Sequence, residues 1–530
     1  MNSSTRATAW DMETDVIVVG FGAAGAVAAI EAADAGARVV LIEKMAFPGG
    51  LSIASAGGIR VSHDPAAALS YLEATCGGRT PSSLLRVLAD GMATVPDYMR
   101  RLAARNGATV RVTPALGNYP LPGYEALAYC EVEAVPSLEG LPGYHAMQPV
   151  KNGTRLFKVL EDNVEARKID VMFETPAQRL IVEDGIVTGL TALRQGSPVA
   201  IRARKGVILA CGGFEADVEM QRQYFQVGEV LTGSFLGNTG DGIRMAQAVG
   251  ADLWHMWHYH GPYGIEHPDP AYPFGLYLKA VPMWTPGRTD YVSDLGISSG
   301  PNKVSEKSLA RVAWILLDQT GQRFMDEYPP YPGDTGVRPF DAFDPKTQRF
   351  PRNPAFIVFD EIGRNMYPLG RVVYNDHHPR YTWSSDNSAE IANGIFQRAD
   401  DIPQLAAIMN VPEARLIASL ARWNDAVRTR YDVEFGRQPE TMVAIETPPF
   451  YVGRVRPLVI NTQGGPRHNE YQQVLDPFGE PIARLYAAGE LGSLFGHLYM
   501  SGGNLTECIV GGSIAGKHAA DQEPLPSGSS

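Results

Sequence analysis

Cysteines, long apolar runs and excess positive charge are all scarce in this chain of 530 residues. The four cysteines lie far apart and show no CxxC or metal-binding spacing, which favours reduced thiols over disulfides and predicts no metal site. No run of 18 apolar residues occurs, so no membrane span is predicted. The net charge of −12 argues against nucleic acid and anionic membranes as partners.

The first residues, MNSSTRATAWDMETD, contain no apolar segment like that of a signal peptide, so we expect a soluble, cytoplasmic protein. The length predicts two or three domains, and a composition that is 45% hydrophobic and 20% charged is typical of a globular enzyme. Residues 1–14 and 522–530 are expected to be flexible tails.

Residues 15–44 carry a pattern typical of dinucleotide binding. DVIVVG predicts a buried strand, AVAAIEAADAGA predicts a helix, and RVVLIEK predicts a second strand that ends at Glu43. In this context Glu43 is suited to accept hydrogen bonds from ribose hydroxyl groups.

The turn between the first strand and the helix reads Gly20-x-Gly22-x-x-Gly25. Gly20 allows the tight turn, Gly22 lets a pyrophosphate approach the backbone, and Gly25 lets the helix pack closely on the strand. The N-terminus of the helix then faces the phosphates.

A second glycine-rich run follows, KMAFPGGLSIASAGGIR, and it favours FAD over NAD. An isoalloxazine ring that passes along the backbone needs small residues there, whereas a nicotinamide site has no evident need for them. Three further segments combine an element with a glycine turn: KGVILACGGFEAD (205–217), GNTGDGIRMAQAVGA (237–251) and ARLYAAGELG (483–492). The last of these leads into FGHLYMSGGNL (495–505), where a helix is predicted to begin near Gly503.

Taken in order, GxGxxG…E, GG…SAGG, ACGGF, TGDGIRMA, GQRFMDE and LYAAGE…GGN resemble the fumarate reductase/succinate dehydrogenase flavoprotein family, which includes the 3-ketosteroid dehydrogenases. The resemblance spans residues 15 to about 520. It implies an α/β fold with a Rossmann-like FAD-binding domain of the GR2 flavoprotein type, interrupted by an α+β substrate-capping domain. The expected FAD-binding parts are residues 15–251 and 446–521, with the cap at 252–445.

The resemblance also implies that FAD is bound without a covalent link, since no histidine stands in the GGLSIASAGG segment where covalent relatives attach their flavin. It implies that Glu490 contacts the ribityl chain and that the helix near Gly503 points its N-terminus at the flavin. The expected FAD-binding residues are Gly20, Gly22, Ala23, Ala24, Gly25, Glu43, Lys44, Gly49, Gly50, Ser52, Ser55, Gly57, Gly58, Cys211, Gly212, Gly213, Asn238, Gly240, Asp241, Gly489, Glu490, Gly503, Asn504 and Leu505.

The chain shows one complete dinucleotide fingerprint, so no separate NAD(P)H site is predicted. The flavin is expected to exchange electrons with an unidentified acceptor or donor.

The middle of the chain is rich in aromatic residues and proline, as in WHMWHYHGPYG (254–264), EYPPYPGDTG (327–336) and HHPRYTWSS (377–385). This composition predicts a loop-rich cap rather than a regular sheet, with helices at DIPQLAAIMN and PEARLIASLARWNDAVRTRY. His255, His258 and His260 suggest a metal site, but no carboxylate or cysteine accompanies them. Structural histidines in an apolar wall are the favoured interpretation.

Three positions depart from the dicarboxylate-binding pattern of the fumarate reductases. By resemblance, Tyr331 stands at the position of a catalytic Arg, Asn461 at that of a substrate-binding His, and Met500 at that of an Arg. Each change removes a potential cation, so fumarate and succinate are not the expected substrates.

The 3-ketosteroid 4(5α)-dehydrogenase branch resembles this pattern more closely, and it implies catalytic roles for Tyr331, Tyr499 and Ser501. The implied reaction is α,β-desaturation of an apolar, cyclic, steroid-like ketone, with hydride passing to flavin N5 and a proton to Ser501. Packing roles for the tyrosines and a helix-capping role for Ser501 are the alternatives. Two other functions stay open: enone or enoate reduction, and electron relay by a flavoprotein without catalysis.

Overall fold

The computed structural model describes residues 10–228, 230–281, 311–373 and 383–526. Within these residues, strands and helices alternate along much of the chain. The strands are β1 (Met12–Val19), β2 (Val39–Ile42), β3 (Ile59–Ser62), β4 (Thr109–Pro114), β5 (Leu127–Ala134), β6 (Asp170–Met172), β7 (Ala177–Glu183), β8 (Ile186–Arg194), β9 (Ser197–Leu209), β10 (Leu231–Thr232), β11 (Leu253–Trp254), β12 (Tyr259–His260), β13 (Tyr263–Ile265), β14 (Leu276–Leu278), β15 (Ile315–Leu317), β16 (Ala355–Asp360), β17 (Gly370–Arg371), β18 (Gln397–Ala399), β19 (Phe450–Val459), β20 (Asn461–Thr462), β21 (Gly465–Pro466), β22 (Gln473–Leu475) and β23 (Pro481–Ala487).

The helices of the described residues are mostly short. They are α1 (Ala23–Asp34), α2 (Gly50–Ala54), α3 (Pro65–Cys76), α4 (Ser82–Ala103), α5 (Asn152–Ala166), α6 (Val218–Tyr224), α7 (Asp241–Ala248), α8 (Glu361–Met366), α9 (Ser388–Ala392), α10 (Ile402–Met409), α11 (Glu413–Thr429) and α12 (Gly503–Ala520), with 3₁₀ turns at Tyr124–Ala126, Pro136–Leu138, Thr335–Asp341 and Pro439–Thr441.

The chain forms two compact units, each built from discontinuous segments. Unit 1 comprises the described parts of Met1–Phe225, Phe235–Tyr259 and Asn461–Ser530, and unit 2 comprises those of Gln226–Ser234 and His260–Ile460.

These boundaries differ from the predicted domain limits for reasons of strand pairing. Within unit 2, β10 is parallel to β19, and β19 also pairs with β13, β16 and β18, so residues 446–460 belong to this unit rather than to the FAD-binding part. Conversely, β11 pairs with β21 inside unit 1.

The main sheet of unit 1 has the order β22-β23-β8-β9-β1-β2-β6, with β7 added on β8. Its middle is parallel: β1 pairs with both β2 and β9, β2 pairs with β6, and β9 pairs with β23. The predicted strand–turn–helix–strand at residues 15–44 is confirmed as β1, α1 and β2. In such a sheet the carboxyl ends of the parallel strands form one edge, where ligands bind.

Helices α1 and α12 pack backbone against backbone, because small residues face each other along both helices. A Cβ atom on Gly512 would lie 2.7 Å from the carbonyl oxygen of Ala24, and one on Gly516 would lie 2.4 Å from that of Ala28. No side chain fits at those distances, so the close approach depends on glycine.

Unit 2 contains an eight-stranded sheet of order β15-β16-β19-β13-β14-β17, with β10 and β18 also paired to β19. The prediction of a loop-rich cap without a regular sheet is therefore wrong. Most of its strands are two or three residues long, which is too short to show an alternating pattern in the sequence. The two predicted helices are confirmed as α10 and α11, and α11 begins directly after Pro412.

A buried ion network joins distant segments of unit 2. Glu327 is fully buried and accepts hydrogen bonds from Arg323 Nη2 (2.8 Å) and Arg437 Nη1 (3.0 Å), while Arg323 also bonds Asp432. Burial alone would raise the pKa of Glu327, but the two guanidinium groups lower it. The GQRFMDE motif thus supplies structural charges to this unit.

The predicted tails are shorter than expected where the structure describes them. Strand β1 already begins at Met12, which pairs with Ile201. Near the other end, Leu525 N donates to Arg204 O (2.8 Å) and Arg202 Nη2 donates to Pro526 O (2.8 Å). Residues 1–9 and 527–530, together with 377–382 of the third aromatic segment, lie outside the described residues.

Candidate functional site

A groove in unit 1 follows the carboxyl edge of the parallel strands. Its empty volume is about 740 Å³, counting the part open to solvent. Of the residues predicted to bind FAD, it is lined by Gly20, Gly22, Ala23, Ala24, Glu43, Lys44, Gly50, Ser52, Cys211, Gly212, Asn238, Asp241 and Glu490.

The three glycines of the first turn differ in what surrounds them. Gly20 has a φ of +99°, and a Cβ there would lie 2.6 Å from Ala210 O. A Cβ on Gly25 would lie 1.8 Å from Gly20 O, so this glycine is required for packing. By contrast, a Cβ on Gly22 would meet nothing closer than Ser52 Oγ at 3.7 Å. The protein itself leaves space at Gly22, and that space borders the groove.

The acidic end of the groove is formed by Glu43 at the end of β2. Its Oε2 accepts a hydrogen bond from Phe21 N (2.8 Å) and its Oε1 accepts one from Met45 N (2.8 Å), which hold the carboxyl group at the turn. Burial raises its pKa. Beside it, Lys44 Nζ forms an ion pair with Asp241 Oδ2 at 2.6 Å.

The second glycine run forms the short helix α2 rather than an extended loop. Ser52 Oγ accepts a hydrogen bond from Ala23 N (3.1 Å), so α2 supports the first turn of α1. Beyond α2, a Cβ on Gly57 would lie 2.4 Å from the backbone of Asn152, and one on Gly58 would lie 3.0 Å from the Tyr129 ring. These two glycines serve contacts with protein, and neither lines the groove.

The turn before α12 holds Tyr499 and Ser501. The helix begins at Gly503, as predicted, but its N-cap is Gly502 without a side-chain cap, so Ser501 does not cap it. Ser501 O accepts hydrogen bonds from Arg60 Nε (3.1 Å) and Tyr129 OH (3.2 Å). Ser501 N also donates to Asn118 Oδ1 (3.1 Å), so the backbone is held on both sides of Ser501.

Tyr499 is 6% exposed, and its hydroxyl oxygen accepts a hydrogen bond from Asn504 N (3.3 Å). Burial raises the pKa of this phenol well above its usual value, so the hydroxyl group keeps its proton at neutral pH. Met500 is fully buried.

The side chain of Asn504 lies in a buried hydrogen-bond network under the helix start. Its Nδ2 donates to Glu507 Oε2 (2.8 Å) and to Gln463 Oε1 (3.1 Å), and its Oδ1 accepts from Asn461. Glu507 also accepts from Leu494 N (2.7 Å), and burial raises its pKa to about 7. Asn461 thus bonds to this network.

Tyr331 belongs to unit 2, unlike Tyr499 and Ser501. It precedes the 3₁₀ turn Thr335–Asp341, and its carbonyl oxygen accepts hydrogen bonds from Gly336 N (3.0 Å) and Thr335 Oγ1 (3.2 Å). Partial burial raises the pKa of its hydroxyl group. Assistance of Ser501 by Tyr331 stays a prediction.

Two of the three histidines fix the turn that precedes Tyr499. His255 Nδ1 lies 2.8 Å from Ser493 O and His258 Nδ1 lies 2.6 Å from Phe495 O. In unit 2, His260 Nδ1 is 4.0 Å from Asp334 Oδ1. Across residues 10–228, 230–281, 311–373 and 383–526, no group of three His, Cys, Asp or Glu side chains has the arrangement of a metal site.

FAD fits the groove of unit 1. The N-terminus of α1 offers backbone amides and a positive dipole end to a diphosphate, and the space at Gly22 allows close approach. Glu43 lies at the end of β2 as an acceptor for hydroxyl groups.

Several lining residues were not predicted from the sequence. Thr175 and Ala177 follow β6, and reading DVMFET as a strand of the parallel sheet would have indicated them. Gly237 opens the predicted GNTGDG segment but was not singled out, and Phe235, two residues before it, belongs to no predicted motif. The unpredicted lining residues are Val19, Ile42, Leu51, Thr175, Ala177, Ala210, Phe235, Gly237, Met245, Ala488 and Cys508.

Comparisons with known proteins agree with this fit. A family model described as FAD binding domain matches residues 15–505. The chain is 28% identical to the digoxin reductase of Eggerthella lenta, across 97% of this chain and 88% of that protein. It is 27% identical to the 3-oxosteroid 1-dehydrogenase of Mycobacterium tuberculosis, across 96% of this chain and 99% of that protein.

Among solved structures, the fold is similar to that of the 3-ketosteroid Δ1-dehydrogenase of Sterolibacterium denitrificans. The TM-score is 0.74 at 23% identity, with 96% of this chain and 99% of that chain covered. No helix of the residues described is long and apolar enough to cross a bilayer.

Proposed function

We propose that this protein catalyses oxidation or reduction at the α,β carbon–carbon bond of an apolar, cyclic, steroid-like ketone. Its cofactor is FAD, because the chain belongs to the FAD binding domain family. Bound FAD supplies a hydride acceptor or donor at N5. The match to a 3-oxosteroid 1-dehydrogenase over nearly the whole chain supports this reaction class.

The observation that carries the proposal is the neutral, rigid turn before α12. Tyr499 keeps its proton because its pKa is raised by burial, Met500 at the intervening position is buried, and Ser501 is held through its backbone. The side chains of the turn itself carry hydroxyl groups and no cation, and Arg60 beside it bonds the backbone oxygen of Ser501, which suits a ketone better than a dicarboxylate.

In the proposed mechanism, Tyr499 donates a hydrogen bond to the substrate carbonyl oxygen. Asn504 N donates to the Tyr499 oxygen, which anchors the phenol at the start of the helix. A donor of this kind stabilises negative charge as enolate character develops. Ser501 would take the α-proton and pass its own hydroxyl proton on, with Tyr331 as the proposed relay to solvent, since a serine needs such a partner to act in proton transfer.

The reductive direction is the second candidate function, because a digoxin reductase is among the relatives. Tyr499 would play the same part in an enone reductase, since the carbonyl oxygen gains negative charge during hydride addition as well. In either direction we propose a cytoplasmic enzyme that acts on a small apolar molecule and exchanges electrons with a separate, unidentified acceptor or donor.

Flavin absorbance under anaerobic conditions tests the proposal. A saturated 3-ketosteroid is mixed with the oxidised enzyme, and the matching enone is mixed with the photoreduced enzyme, with succinate and fumarate as controls. We expect the steroid pair to bleach or restore the flavin absorbance and the dicarboxylates to leave it unchanged. No response to any ketone or enone would instead favour electron relay, and rapid reoxidation by fumarate would contradict the ketone assignment.

A further inference from the structure

Two buried carboxyl groups lie together beside the groove. Glu490 follows β23 and lines the groove, and Glu215 follows β9. Glu215 is fully buried and Glu490 is 7% exposed. Isolated carboxylates are strongly disfavoured at such positions, so the pair needs compensation from its surroundings.

The two side chains share their hydrogen-bonding surroundings. Asn238 Nδ2 donates to Glu215 Oε1 (3.0 Å) and also to Glu490 Oε2 (3.3 Å), and Thr462 N donates to Glu490 Oε1 (2.9 Å). The point that a Cβ on Gly213 would occupy is 2.7 Å from Glu490 Oε1 and 2.9 Å from Glu215 Oε2. The two carboxyl groups are therefore close neighbours, and if both were ionised they would repel each other strongly.

The charges around the pair are acidic as well. Burial raises the pKa of both carboxyl groups, and the charge of Glu490 raises that of Glu215 further. On α12, burial raises the pKa values of Glu507 and Cys508, and the charge of Glu490 raises them further. In the part of the chain that the structure describes, no cationic side chain is among the main influences on either carboxyl group.

We propose that Glu215 and Glu490 share one proton, which Glu215 carries and donates in a hydrogen bond to the Glu490 carboxylate. Glu215 is then a positioning residue that fixes Glu490 in the groove wall. The inference rests on the FAD site proposed above. Its consequence is a single negative charge, rather than two, next to a cofactor whose diphosphate is itself negative.

Infrared difference spectroscopy of the FAD-loaded protein at pH 9 tests the shared proton directly, because a protonated carboxyl group has a band that a carboxylate and an amide lack. At that pH two other buried acids, Glu161 with a pKa of about 8 and Glu507 with a pKa of about 7, are mostly ionised. We expect the wild type to keep the band and Glu215→Gln to lose it. The amide that this substitution introduces would still donate to Glu490, which then needs no proton.

Glu161→Gln is the matched control, since Glu161 is a partly buried acid that bonds Tyr144 and His145. It should weaken the band at pH 7 and change nothing at pH 9. A wild-type protein that contains FAD but has no band at pH 9 overturns the proposal, whether or not the variant folds, and leaves the FAD site intact. A wild-type chain that binds no FAD overturns the site itself, and the inference with it.

Thermal stability gives a second measurement. The shared proton means that the folded protein binds one more proton than the unfolded chain above pH 4.5, so wild-type stability falls as the pH rises toward the folded pKa. Relative to Glu215→Gln, the wild-type unfolding constant should rise tenfold per pH unit, a loss of about 1 °C in Tm per unit for a chain of this length. A difference in Tm that stays constant from pH 6 to pH 9 would overturn the shared proton.

Discussion

Replacing Tyr499 by Phe removes one hydroxyl group from the turn before α12 and keeps the buried ring in place. Two costs of different size follow. The hydrogen bond from Asn504 N, 3.3 Å long, is lost, which destabilises the fold by about 0.5–1.5 kcal/mol. If the hydroxyl group also polarises the substrate carbonyl, turnover should fall about 10²–10³-fold, or roughly 3–4 kcal/mol.

The two costs are separated by measuring FAD content, Tm, kcat and KM of the same preparation with the best ketone or enone found. We expect normal FAD content, a small decrease in Tm and a large decrease in kcat with little change in KM, because the hydrogen bond strengthens as charge builds on the oxygen. Since the pKa of Tyr499 is well above its usual value, the ratio of wild-type to variant turnover should stay constant from pH 6 to pH 9.

Tyr486→Phe is the matched control. Tyr486 is fully buried in the same unit, and its hydroxyl group hydrogen-bonds to His518 Nδ1 (3.2 Å), toward the C-terminal end of α12. This variant should lose a similar amount of stability and retain normal turnover. Near-normal turnover of Tyr499→Phe would mean that the tyrosine only packs, and the proposed mechanism would be wrong.

Three further changes have distinct expected outcomes. Gly22→Val should give a folded protein whose FAD affinity is at least about 100-fold lower, because the protein leaves room for the side chain but a bound pyrophosphate would not. Gly25→Ala should instead fail to fold stably, since its Cβ would lie 1.8 Å from Gly20 O. Circular dichroism and FAD titration distinguish the two variants, and normal FAD binding by Gly22→Val would contradict the site. Glu327→Gln should destabilise unit 2 by about 3–5 kcal/mol, because Arg323 and Arg437 would lose a buried anionic partner, and an unchanged denaturation midpoint would refute this account of the network. Acid precipitation should release the yellow colour into solution, and flavin retained by the precipitated chain would show a covalent link.

The FAD-binding half of the fold was readable from the sequence because its signals are local. The strand before Gly20, the helix after Gly25 and the strand ending at Glu43 are adjacent in the chain, and each glycine has a separate steric reason. The sheet of unit 2 was missed because β19 pairs with short strands from distant segments, such as β10, where Leu231 lies opposite Leu458. A strand of two or three residues is too short to show an alternating apolar and polar pattern, so the sequence does not indicate such a pairing.

The site was predictable to a similar extent. Residues in glycine motifs, such as Gly212 and Glu490, were indicated by the strands that precede them. Helix capping by Ser501 was only an alternative to its proposed catalytic role, and the structure excludes it: serine favours N-caps in general, but the N-cap here is Gly502, which has a positive φ. Glu215 was passed over because nothing in the sequence shows that two acids 275 positions apart meet at Gly213.

The backbone contact between α1 and α12 has a consequence for how the protein is made. The first helix of the nucleotide-binding turn leaves the ribosome hundreds of residues before the helix that covers it. Until Gly512 and Gly516 are synthesised, the apolar face of α1 has no partner at that position and stays exposed. Contacts between such distant segments form slowly, so we expect the nascent chain to be prone to aggregation until α12 is complete. Fragments that stop before Gly503 should accumulate as insoluble protein.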